Sequence, residues 1–281
     1  MVLRTAFDRS VRIAGIVLAC VLVCAGRSAS SASASLPRLF QESWIDGTLP
    51  QEPQTQVQAL DGDTFVLRQS IKTNFEAPFL YLIFGRDKAL LVDTGAEGGR
   101  IRPVVDRIVA EWLAANHRSG IPLVVAHSHS HGDHIAGDGA FRDRPDTVVV
   151  GLKAAEVAAF FGVANWPDGI ATFDLGGRTL SIIPTPGHQK AAMMIYDPRL
   201  QILLSGDTLY PGRLYVPVNF LAEERASLDR LAAFAARHPI RAVLGAHIEM
   251  TRTLGRDYAQ EVTAHPDEHP LELPAESIGE L

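Results

Sequence analysis

Leu123-Val124-Val125-Ala126-His127-Ser128-His129-Ser130-His131-Gly132-Asp133-His134 is the stretch that decides how this chain is read. Its first four residues form a short apolar run with two adjacent valines, the pattern of a buried strand. Four histidines and an aspartate follow within eight residues. Imidazole nitrogen and carboxylate oxygen are ligands that a borderline-soft divalent metal accepts. His129 and His131 are two apart, so both imidazoles point to one side while the chain stays extended. Gly132 lets the backbone turn, and Asp133 and His134 then aim at a second point nearby. The spacing therefore predicts two neighbouring metal positions, one taking His129 and His131, the other Asp133 and His134. His127 is extra to this pattern, and both a packed histidine and a support for the ligands are open for it.

The chain has 281 residues, 47% of them hydrophobic and 21% charged, with a formal net charge of -6. That is an ordinary globular composition without repeats, heptads or charge blocks. No basic stripe is visible, which argues against nucleic acid as the main partner and leaves a small-molecule substrate. Nothing in the sequence fixes the oligomeric state.

Residues 1–34 read as a secretory signal peptide. Arg4, Arg9 and Arg12 precede an apolar segment, Ile13 to Ala25, and the small-residue tract Ser28 to Ser35 offers Ala32-Ser33-Ala34 for cleavage. An apolar run of about 13 residues is too short to span a bilayer. The expectation is export to the periplasm or the exterior with no stable membrane span after cleavage. A lipoprotein is the second choice, because Cys20 follows Val17-Leu18-Ala19 but falls midway through the apolar run. Both cysteines, Cys20 and Cys24, lie in this segment, so the processed chain would have no thiolate ligand or nucleophile.

Residues 35–55 read as a loose lead-in, 56–262 as a hydrolase domain and 263–281 as a tail. Within the domain, a hairpin is expected from Gln56 to Gln69 about Asp61-Gly62-Asp63. Strands follow at Phe79–Phe84 and at Ala89–Val92, the second ending in Asp93-Thr94-Gly95. Ile101, Val104, Val105, Ile108, Trp112 and Leu113 give a helical face over 101–116. After the metal stretch come a strand at 147–150 and a helix at 154–161. Three more strand-like runs end in chemistry: Leu180–Pro184 before Thr185-Pro186-Gly187-His188, Ile202–Gly206 before Asp207, and Ala242–Gly245 before Ala246-His247.

The run His129-x-His131-x-Asp133-His134, with His188, Asp207 and His247 in order behind it, resembles the signature of the metallo-β-lactamase superfamily. The resemblance spans residues 93 to 247. It implies an α/β (α+β) fold, a four-layer αββα sandwich of two mixed sheets flanked by helices. It also implies two Zn2+ per chain, with iron or manganese as alternatives. One metal would take His129, His131 and His188, the other Asp133, His134 and His247, and Asp207 would bridge them. Asp93 would support the metal loops by hydrogen bonds without ligating. The activity implied is metal-assisted hydrolysis, with Asp133 orienting the water and Tyr210 donating to a developing oxyanion or leaving group. Arg213 and Tyr215 are further candidates for the pocket.

Asp207, where β-lactamases of the superfamily carry Cys or Ser, and the run Gly206-Asp207-Thr208-Leu209-Tyr210 resemble the glyoxalase II-like and lactonase-like branch. Ester, thioester and lactone substrates are therefore placed ahead of β-lactams and phosphodiesters, and an iron-dependent oxidative enzyme comes last. Gln189-Lys190-Ala191 departs from the Thr-x-Gly type of continuation after the third histidine ligand. His117, His238, His265 and His269 receive no role.

Overall fold

The computed structural model describes residues 39–280. The expected signal peptide lies outside them. Among the described residues, twelve strands form two six-stranded sheets. The first runs in chain order: β1 (Thr55–Asp61), β2 (Thr64–Gln69), β3 (Phe79–Phe84), β4 (Ala89–Val92), β5 (Leu123–Ala126) and β6 (Thr147–Val149). The pairings are antiparallel from β1 to β4 and parallel from β4 to β6. The second sheet has the order β12-β11-β10-β9-β8-β7. Its members are β7 (Ala171–Asp174), β8 (Thr179–Pro184), β9 (Met193–Asp197), β10 (Ile202–Gly206), β11 (Ala242–Gly245) and β12 (Glu272–Leu273). Only β10 and β11 are parallel in it.

The alternation of side chains explains the layering. In β3, Phe79, Tyr81 and Ile83 enter the core between the sheets, with Leu180, Ile182, Met193, Ile195 and Leu204 from the other side. Their neighbours Leu80, Leu82 and Phe84 face outward, where α1 (Ile101–Ala115) covers them with Ile101, Val105, Ile108 and Trp112. The second sheet repeats the arrangement: Ile183, Met194, Tyr196, Leu203 and Val243 pack under Leu231 and Phe234 of a long helix, Leu221–Ala235. Strands covered on both faces read as continuous apolar runs, and these do. Helix on sheet, sheet on sheet, then helix again is the expected αββα sandwich. Three shorter helices occur: α2 (Gly132–Ile135), α3 (Asp138–Arg142) and α4 (Ala154–Phe161); the helix over 221–235 is α5.

Both ends of the expected domain join the fold. Phe40 is buried and Trp44 packs edge-on against Phe79, with ring centroids 5.0 Å apart. Beyond residue 262, β12 pairs with β11, and Glu268 forms a two-pronged ion pair with the buried Arg68 of β2 (2.6 and 2.5 Å). His265 is buried against Tyr258 and lies 2.9 Å from Glu268 Oε1. The segment expected as a tail is thus folded onto the sheet edge and the floor of β2. No helix among the described residues is long and apolar enough to cross a membrane.

Candidate metal centre

The chemistry gathers at one end of the sandwich, where strands of both sheets run out into loops. From the first sheet, β4 ends at Asp93 and β5 ends at the loop carrying His129, His131, Asp133 and His134. From the second, β8 leads to His188, β10 to Asp207 and β11 to His247. The two sets are held in register by bonds between the sheets. Phe79 N donates to Ala246 O (2.8 Å), Tyr81 Oη to Gly245 O (2.5 Å) and Met193 N to Ser128 O (2.8 Å). Gly206 sits so close to Ser128 that a Cβ there would lie 2.6 Å from the serine Cβ, and its φ of +53° is one glycine adopts freely.

Two groups of ligand atoms result. His129, His131 and His188 form one; Asp133, His134, Asp207 and His247 form the other, each group within 4.8 Å internally. In the first, His129 Nε2 lies 3.0 Å from His131 Nδ1, and His188 Nε2 lies 2.9 Å from His131 Nδ1 and 3.3 Å from His129 Nε2. In the second, Asp133 Oδ2 lies 3.0 Å from His134 Nε2 and 3.2 Å from His247 Nε2. Asp207 stands between the groups. Its Oδ1 faces His134 and His247 (3.5 and 3.3 Å), and its Oδ2 faces His129 and His188 (3.7 and 3.6 Å).

In three of the rings the far side shows which nitrogen is free. His134 Nδ1 donates to Asp93 Oδ2 (2.9 Å), His247 Nδ1 to Glu76 O (2.7 Å) and His188 Nδ1 to Tyr215 O (2.6 Å). With those protons fixed, the Nε2 lone pairs point into the site, the usual arrangement of metal-ligating histidines. Asp207 Oδ1 is buried with no hydrogen-bond partner among the described residues. Burial alone would raise the Asp207 carboxyl, yet the facing histidines hold it well below the carboxylate range. Burial likewise opposes charge on His134 and His247, while Asp207 drives both upward. Buried carboxylates facing bare imidazole nitrogens call for positive charge, so the residues fit divalent metal.

Asp93 plays the expected supporting part. It accepts from Ser128 N and Ser128 Oγ (both 2.8 Å) as well as from His134. Burial would raise its carboxyl, and His134 and His127 hold it low instead. His127 is a packed support rather than a ligand, with Nε2 3.2 Å from Asp138 Oδ1 and Nδ1 3.7 Å from Asp93 Oδ1. Burial disfavours its charge, but Asp138 and Asp93 push it up to about 9.

Several supporting residues escaped the sequence reading. Glu224 of α5 accepts the His188 amide (3.1 Å), and Ser227, one turn on, donates to Pro186 O (2.7 Å). Gly187 is required where this carboxylate approaches, since a Cβ would meet Glu224 Oε2 at 1.9 Å. Gln189 explains the departure after His188. Its Nε2 donates to Ser130 Oγ (2.6 Å) and its Oε1 accepts from Ala191 N (2.5 Å), tying the loop of the third histidine to that of the first two.

Tyr210, expected to donate to an oxyanion or leaving group, lines the cavity over the ligands. Its hydroxyl donates to the Arg213 carbonyl and lies 3.3 Å from Glu249 Oε2. Burial and the Glu249 charge push the phenol further up, which keeps it protonated. Arg213 and Tyr215 do line the cavity over the ligands, whose volume is about 300 Å³. A Tyr210→Phe variant is expected to keep its metal, to turn over within about threefold of the parent, and to lose about 1 kcal/mol of stability with the hydrogen bond. Steady-state kinetics beside a thermal melt check this; a hundredfold slower turnover with metal retained would establish the oxyanion role.

Residues 74–247 match the metallo-beta-lactamase superfamily. The chain belongs to that superfamily. Among particular relatives, it is 31% identical over 134 residues to a hydroxyacylglutathione hydrolase of Mesorhizobium japonicum, covering 45% of this chain and 50% of that one. It is 23% identical over 209 residues to an acyl-coenzyme A thioesterase of Gallus gallus, covering 61% of this chain and 72% of the relative. The chain spans only 43% of the length of the hydroxyacylglutathione hydrolase of Rhizobium meliloti. A solved metallo-beta-lactamase from Hirschia baltica shares the fold at a TM-score of 0.50 and 16% identity, over 69% of this chain and 91% of that one.

Proposed function

We propose that this chain is an exported dinuclear zinc hydrolase acting on an ester or thioester carbonyl. The observation that carries the reading is the division of the Asp207 carboxylate, one oxygen toward each nitrogen cluster. One anion between two cations offsets their repulsion. When bound, a pair of divalent ions polarises a carbonyl oxygen and acidifies a water. His129, His131 and His188 would hold one ion, and Asp133, His134 and His247 the other.

The protein's own groups account for the rest. No serine, threonine or cysteine is among the described residues lining the cavity, so water is the nucleophile. Asp133, one-fifth exposed at the cavity floor, is placed to orient that water and to receive its proton. Water adds to the carbonyl carbon, the C–S or C–O bond breaks, and the proton passes through Asp133 to the departing thiolate or alkoxide. The names of the hydroxyacylglutathione hydrolase and acyl-coenzyme A thioesterase relatives support a thioester. Export is supported by Arg4, Arg9 and Arg12 before the apolar run and by Ala32-Ser33-Ala34 after it.

The test is one preparation of the full chain from an exporting host. Intact mass reads processing after Ala34, elemental analysis reads metal, and a panel of thioester, ester, lactone, chromogenic β-lactam and phosphodiester reads chemistry. About two zincs per chain with thioester or ester favoured is expected. One iron without hydrolysis overturns the hydrolase reading, and preference for the β-lactam or the phosphodiester overturns the substrate class. An unprocessed N-terminus in a cell-associated protein overturns export.

A further inference from the structure

The walls of the cavity carry a charge pattern that the metal-binding set does not explain. Beyond Asp133 and Asp207 at the floor, the lining includes Glu76, Glu249 and Glu261, with Arg213 as the one Lys or Arg among the described lining residues. That arginine already faces two carboxylates and a carbonyl. Its Nη1 lies 2.9 Å from Asp257 Oδ2, its Nε lies 3.4 Å from Glu249 Oε2, and its Nη2 donates to Tyr258 O at 2.8 Å. Glu76 has no ion-pair partner among the described residues, and it sits beside His247, whose Nδ1 its own carbonyl accepts. Beside the polar Gln260 and His265, the rest of the wall carries aromatic and apolar groups, Phe75, Tyr215, Tyr258, Ile248 and Val262, with Phe75 and Tyr215 still 40% and 42% exposed.

We infer that this cavity selects acyl substrates with an uncharged leaving group and disfavours anionic carriers such as glutathione, coenzyme A or a phosphodiester. The inference rests on the thioester reading above. Two dications would bring positive charge, but Asp133, Asp207 and an ionised water would offset most of it at the floor. A carrier leaving the floor then passes walls whose cation is neutralised and whose Glu76 and Glu261 repel an anion. Recognition of carboxylate or phosphate calls for guanidinium or ammonium charge that is not already matched, and Arg213 is matched by Asp257 and Glu249. An uncharged arm meets no such repulsion and packs against the aromatic and apolar part of the wall, where it is favoured by burial.

The test places one acyl group, hexanoyl, on three thiols: uncharged N-acetylcysteamine, glutathione and coenzyme A. At low ionic strength kcat/KM for the N-acetylcysteamine thioester is expected to exceed that for the coenzyme A thioester at least about tenfold, with glutathione between. The gap should narrow several-fold at high salt. Dissociation constants of the corresponding non-hydrolysable thioethers, measured calorimetrically, should follow the same order. In Glu76→Gln and Glu261→Gln variants, the ratio between coenzyme A and N-acetylcysteamine thioesters should move toward the anion. Equal or better use of the anionic thioesters, or a ratio that neither variant shifts, overturns the selectivity while leaving the hydrolase reading standing. Failure to cleave any of the three thioesters overturns the thioester reading itself, and the selectivity with it.

Discussion

An Asp207→Ala variant is expected to retain at most about half the bound metal and to lose on the order of a thousandfold in kcat/KM. The side chain is only 10% exposed, and its two oxygens face both clusters at once. Alanine removes the carboxylate that faces both clusters, so the proposed ions would repel one another with less shielding. Loss of several kcal/mol of transition-state stabilisation from a metal site converts to about three powers of ten in rate. The histidines of the first cluster remain, which is why partial occupancy is expected. Elemental analysis and kinetics on the same sample decide the matter. Full metal stoichiometry with activity intact would show that Asp207 does not bridge.

The second large effect lies far from the chemistry. Arg178 precedes β8 and is 4% exposed; Asp197, at the end of β9, is fully buried. Arg178 Nε donates to Asp197 Oδ2 (3.1 Å), and Nη2 reaches the same oxygen. The guanidinium also crosses to the first sheet, where Nη1 donates to Asp63 O (3.1 Å) and Phe84 O (3.2 Å) and Nη2 to Thr64 Oγ1 (2.7 Å). Asp197→Ala leaves this guanidinium buried without its counter-charge, a change that costs about 3–5 kcal/mol. For a domain of this size that lowers Tm by on the order of 10 °C. A thermal melt reads it directly. A shift within about 2 °C would mean that Arg178 finds solvent or another partner once Asp197 is gone.

Much of this was legible because the strands are covered on both faces. Phe79–Phe84, Ala89–Val92 and Ile202–Gly206 are continuous apolar runs that stop at charged or turn residues, so their ends, and the ligands there, could be placed from sequence. Helix α5 was not. Its buried positions, Glu224, Ser227, Leu231 and Phe234, keep helical spacing, but two of the four are polar because they hold the His188 loop. The function of those residues erased the apolar stripe that would have revealed the helix. Strands β7 and β9 were missed as well, the second hidden in Met193–Asp197 just past the ligand loop that drew the reading. The role of the last residues was hidden for a different reason. The pairing of β12 with β11, and of Glu268 with Arg68 two hundred positions earlier, is long-range and leaves no local pattern. Tyr210 shows the limit of motif spacing, which placed the ring at the cavity but not the direction of its hydroxyl.

The division of ligands between the two sheets has a consequence for how the molecule tolerates change. Four of the seven come from the loop after β5, and the other three from three different strand ends of the opposite sheet. Metal bound there is a rivet through both halves, and its binding energy is counted within the stability of the fold. Damage to the packing between the sheets, however distant, therefore spreads the rivet hole. A lineage of such variants would lose its grip on metal before it lost its shape, and scarcity of the ion would expose defects that plenty conceals.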